Sequence, residues 1–98
     1  DPALDPAFLG EILELREELA DARVERDDAK LSSIKRRIES EQQQLSERLH
    51  AGFVRLEQED PAALSELTET VFVQRYYQRF ADDIAEYEEA QAGHRAVL

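Results

Sequence analysis

Apolar residues near the start of the chain recur at Phe8, Ile12, Leu15 and Leu19, spaced four, three and four apart. That spacing lays them along one face of an α-helix. Asp5 is placed to cap the helix, and Pro6 suits its first position, where a missing N–H costs nothing. The pattern predicts a first helix from about Pro6 to Arg23. Leu31, Ile34, Ile38, Leu45, Leu49, Phe53 and Leu56 make a longer stripe, interrupted by polar Glu41 and Gln42. It predicts a second helix over residues 28–57, capped by Asp27 or Asp28. A third set, Leu64, Leu67, Val71, Val73, Tyr77, Phe80, Ile84 and Tyr87, predicts a helix over residues 61–91. Asp60 would be its N-cap and Pro61 its first residue. The stripe shifts register around Val71-Phe72-Val73, with Phe72 and Tyr76 as a side row four apart. Gly93 closes the pattern, so residues 94–98 read as a tail.

No strand pattern interrupts these segments, and the connections are short. The expectation is an all-α fold in one domain over residues 1–98. Its architecture would be an antiparallel three-helix bundle with long second and third helices. Because the first helix is the shortest, the other two would project beyond it as a two-helix arm.

The first helix carries more apolar residues than one core face needs. At roughly 100° per residue, Leu9 and Leu13 fall about 90° or more off the main stripe. Glu14, Glu17 and Asp21 lie further round on the same outer side. A second Leu/Glu face leaves a surface for a partner. The plainer reading is a wide stripe wedged between two packing neighbours. Tyr77 falls on the core stripe of the third helix, whereas Tyr76 falls outside it. Beside Arg75, Tyr76 is expected to present its ring to the surface, as interface aromatics do.

Composition narrows the classes of function. Ninety-eight residues, 42% hydrophobic and 36% charged, suffice for one small core. The net charge of −11 argues against nonspecific nucleic-acid binding and against anionic membranes. Residues 1–28 and 57–98 each carry −7, while residues 29–56 carry +3. A basic middle helix between two acidic ones suits a bundle, and Lys35-Arg36-Arg37 is expected to pair with both neighbours. With no cysteine there is no disulfide and no thiolate site. No apolar run approaches the ~18 residues of a membrane span, and no signal peptide is evident. A cytoplasmic location and a monomer are the corresponding expectations.

Catalytic signals are weak. His50 and His94 have no metal-ligand spacing, and His94 falls in the expected tail. Glu17-Glu18, Asp82-Asp83 and Glu88-Glu89 read as solvated helix faces. No Gly-rich phosphate loop occurs. No catalytic residue, metal or cofactor is expected, and the chain is not expected to be an enzyme.

Phe8-Leu9 followed by Glu14-Leu15-Arg16-Glu17-Glu18-Leu19 resembles the start of the C-terminal domain of HscB, the J-type co-chaperone of iron–sulfur cluster assembly. Thr70-Val71 with Arg75-Tyr76-Tyr77-Gln78-Arg79-Phe80 resembles that domain's third helix. The resemblance spans about residues 5–89. It implies a three-helix bundle that binds the scaffold protein IscU and delivers it to the DnaK-class chaperone HscA. It places apolar scaffold contacts on Leu9, Leu13 and Tyr76, and acidic contacts on Glu14, Glu17 and Asp21. Asp21 stands for a more usual Glu, Tyr76 for a common Phe, and Gly10 for a larger apolar residue. The His-Pro-Asp motif of a J domain does not occur in these 98 residues, so contact with the chaperone would need a J domain outside them.

Two other readings compete with this one. All-helical chorismate mutases are similar in length, have three helices and carry an early Leu-Arg. They need convergent cations for two substrate carboxylates, and the basic residues here lie mostly on one helix. The remaining reading is a helical spacer without a specific partner.

Overall fold

The computed structural model describes residues 4–97, with side chains through residue 93. It consists of α1 (Pro6–Glu25), α2 (Asp28–Glu57) and α3 (Ala63–Val97), and no strand occurs among the described residues. The expected all-α bundle with long second and third helices is therefore the fold. Its long axis is 59 Å against 26 and 22 Å across.

The caps explain where the helices begin. The Asp5 carboxylate accepts from the Ala7 N–H at 3.0 Å, and Asp27 accepts from the Lys30 N–H at 3.0 Å. Each gives an oxygen to a first-turn N–H that has no partner in its own helix. α1 runs two residues past the expected Arg23. It stops where Arg26 turns left-handed (φ 53°, ψ 43°) and the Asp27 N–H reaches back to the Ala22 carbonyl at 3.1 Å. This closure normally uses glycine, so the sequence marks it poorly.

The turn between α2 and α3 repeats the device at Glu59 (φ 60°), with the Asp60 N–H bonded to the Arg55 carbonyl at 3.1 Å. α3 begins at Ala63, not at Pro61. Residues 61–62 form a turn in which the Asp60 carboxylate accepts from the Ala62 N–H at 3.0 Å. At the other end α3 continues through Gly93 to Val97. The expected tail is thus helical as far as residue 97, and residue 98 lies outside the described residues. His94 falls within this helical span.

The core is Ile12, Leu15, Leu19 and Ala22 of α1 against Leu31, Ile34, Ile38 and Leu45 of α2 and Tyr77, Phe80 and Ile84 of α3. Phe8, expected in the core, is half-buried at its edge. Half-buried Gln42 spans the polar gap in the α2 stripe and donates to Gln78 of α3 at 3.4 Å.

The N-terminal end of α1 reaches the level of Leu45, Arg48, Val73 and Tyr77, with which Phe8 shares a cavity. Residues 49–72 therefore pair as the two-helix arm. Here the expected stripe is partly wrong. Phe53, Leu56 and Leu64 are exposed, Leu64 by 64%. Leu67 is buried as expected, and Gly52, Ala63 and Thr70, which lie off the expected stripes, are buried with it. Two helices bury only the narrow strip between them. That strip is tightest at Gly52, where a β-carbon would stand 2.7 Å from a Leu67 methyl. Thr70 is satisfied inside by donating its hydroxyl to the Glu66 carbonyl at 2.8 Å.

Opposite charges stitch the helices, as the basic middle segment suggested. Lys35 pairs with Glu88 at 3.1 Å and Arg37 with Glu18 at 3.1 Å. At the arm's tip Arg55 pairs with both Asp60 and Glu66.

Candidate functional site

α1 presents two faces. On the first, Ile12 and Leu15 are 3% and 2% exposed and fill the core. On the second, Leu9 and Leu13 remain 40% and 59% exposed. Leu9, Leu13, Arg16 and Ala20 are spaced four, three and four apart, so they form one row along the helix. Glu14, Glu17 and Asp21 form the next row outward and are all exposed. The wedged-stripe reading would have covered Leu9 and Leu13 with a neighbour. Among the described residues no neighbour covers them fully.

Tyr76 departs from the expectation. Its ring does not stand free on the surface. It is half-buried, packed on the core, with its centroid 5.7 Å from that of Phe8 and the planes at 78°. This is the edge-to-face geometry that aromatic pairs favour. Arg75 does not accompany it. The Arg75 guanidinium lies over Phe72 at 5.3 Å, while Arg79 approaches the Tyr76 ring at 5.9 Å. Sequence spacing alone gives the direction of Tyr76 from its own helix. Its cover by Phe8 depends on how α1 lies across α3.

Phe8 thereby joins the site from below. It packs against Tyr76, which shares a cavity with Arg16 and Ala20 of the exposed row. Gly10 sits in the same turn, with nothing within 4 Å of where a β-carbon would be. The surface there is an apolar strip edged by three carboxylates.

Titration adds little to this picture. Burial pushes the Tyr77 hydroxyl up from its ordinary value, and the Glu41 and Glu11 carboxylates add to that effect. Among the described residues no three His, Cys, Asp or Glu side chains are gathered so as to hold a metal ion. None of their helices is long and apolar enough to cross a membrane.

Sequence reasoning also missed a cluster. Arg16, Arg23 and Arg79 line one cavity between α1 and α3, together with Tyr76 and Phe80. The three arginines come from two helices, so no single stretch of sequence displays them together.

The family described as the HSCB C-terminal oligomerisation domain matches residues 4–85. The chain belongs to this family. The match covers all of α1 and α2, and α3 as far as residue 85, including every residue of the candidate face. It makes the chain a member of a co-chaperone family. No curated protein and no solved structure matches the chain.

Proposed function

We propose that this HscB-type domain docks an IscU-like iron–sulfur cluster scaffold protein through the second face of α1. Leu9 and Leu13, with the exposed part of Tyr76, form the apolar centre. Glu14, Glu17 and Asp21 form an acidic rim that orients a basic-edged patch on the partner. The observation that carries the reading is the division of α1. Its core face is complete without Leu9 and Leu13, yet these two large apolar side chains stay 40% and 59% exposed. Desolvating such a strip against a matching patch is a favourable use of it, and aromatic anchors commonly dominate interfaces of this kind.

In this reading the domain binds and does not catalyse, and it uses no cofactor. One chain, in a cytoplasmic setting, is the binding unit, because all six named residues lie on α1 and α3 of the same chain. Delivery to an HscA-type chaperone is the work of a J domain, whose His-Pro-Asp motif these 98 residues do not contain.

Titration of the domain with a purified IscU-like scaffold tests this directly. The Leu9→Ala/Leu13→Ala pair should lose about 2 kcal/mol or more of binding while keeping its helical spectrum. Unchanged affinity would remove the face from the account. The enzyme alternative is separated by assaying conversion of chorismate to prephenate, for which no activity is expected. The spacer alternative predicts no scaffold binding at all.

A further inference from the structure

The groove between α1 and α3 concentrates positive charge in a chain of net charge −11. Arg16 and Arg23 of α1 and Arg79 of α3 line a cavity of about 220 Å³. Lys35, Arg37 and Arg55 each hold a carboxylate. Arg16 and Arg79 hold none among the described residues. Arg23 is fixed in place by two contacts. Its Nη2 donates to the Asp83 carbonyl at 3.1 Å, and its guanidinium lies 5.5 Å from the Tyr87 ring centre. Its Nε, in contrast, is buried with no hydrogen-bond partner. A buried donor left unpaired is costly, and an acceptor oxygen would relieve it.

The apolar part of the lining complements this charge. Tyr76 and Phe80 contribute rings, and Tyr76 already carries the Arg79 guanidinium over its face. Asp83 supplies the single opposing carboxylate in the lining, leaving three guanidinium groups against one acid.

We propose that this groove is a binding site for a small oxyanion, a carboxylate or phosphate monoester, carried on a flat apolar body. Planar guanidinium forks match the two oxygens of such a group and bind it bidentately. The flat body lies against the ring of Tyr76. A cavity of this volume has room for one six-membered ring with one anionic group. The proposal does not depend on scaffold docking, although Tyr76 belongs to both surfaces. An aryl carboxylate or an aryl phosphate monoester has both parts, the anionic group and the flat ring.

The test is a chemical-shift titration of the intact 98-residue chain with phenyl phosphate, with benzyl alcohol as the neutral control. Saturable shifts are expected at Arg16, Arg79, Tyr76 and Phe80 with phenyl phosphate and not with benzyl alcohol. Arg16→Gln and Arg79→Gln should each weaken binding about tenfold, as expected for loss of a charge-assisted bond. Both residues are exposed, so neither change should disturb the helices. Asp83→Asn should tighten binding by removing the opposing charge. Saturable shifts that survive Arg16→Gln and Arg79→Gln undiminished, or that map to Arg48 instead, would overturn the proposal, as would no saturable response.

Discussion

At the scale of single residues, two glycines on opposite sides of the fold carry opposite predictions. Gly10 faces open space in the middle of an exposed helical turn. Gly10→Ala should raise stability by up to ~1 kcal/mol, the helix-propensity difference, measurable as a shift in urea midpoint. Gly52 has a Leu67 methyl 2.7 Å from where its β-carbon would be. Gly52→Ala should destabilise by about 1–2 kcal/mol, because forcing Leu67 aside outweighs the propensity gain. A stabilised Gly52→Ala would mean that α2 and α3 are not closely packed there. Gly10 also lies between Leu9 and Leu13, so a partner that approaches the backbone closely would bind Gly10→Ala less well.

The three helices were legible in the sequence because each carries a long period-3.6 stripe and two have a recognisable cap. What was not legible is which residues the arm buries. Phe53 and Leu64 continue their stripes as faithfully as Leu45 and Leu67 do, and only the way α2 lies on α3 beyond the end of α1 decides that Leu67 is buried while they stay exposed. The arginine groove was hidden for a related reason, since its charges meet only when α1 is laid on α3. For the candidate face, spacing revealed that Leu9 and Leu13 leave the core stripe. It could not reveal that Phe8 would cover part of Tyr76.

The tip of the arm makes a prediction at the scale of an element. Asp60 is held below its ordinary carboxylate value first by the Ala62 N–H and then by Arg55. The folded value therefore lies below the unfolded one. The associated stability is full above the ordinary value of 3.8 and is lost as pH falls through the depressed folded value. Arg55→Ala removes the second of these causes and leaves the first. The variant should be less stable than wild type at neutral pH and should lose less on acidification, because the Asp60 carboxyl is then depressed only by the Ala62 N–H. Melting curves between neutral and acid pH check this. Parallel losses for the two proteins would show that the Arg55–Asp60 pair has no role in folding.

Across the whole molecule, charge is distributed for pairing inside and for attraction outside. Lys35 and Arg37 pair with acids on both neighbouring helices. Glu14, Glu17 and Asp21 form no ion pair among the described residues and face solvent. Reversing all three to Lys should slow association with a basic-edged scaffold at low salt, with a smaller effect at high salt, where surface charges are screened. An unchanged on-rate at low salt would leave the acidic rim without a function.

The central claim is that one helix serves two purposes on two faces, and Ile12 and Leu13 are adjacent residues on opposite sides of that division. Comparing Ile12→Ala and Leu13→Ala, each by melting temperature and by affinity for an IscU-like scaffold, tests it most directly. Ile12→Ala should cost about 2–5 kcal/mol of folding stability. Leu13→Ala should cost little stability and about 1–3 kcal/mol of binding. If Leu13→Ala instead unfolds the domain as severely as Ile12→Ala and leaves scaffold affinity intact, the second face of α1 is packing and the docking account is wrong.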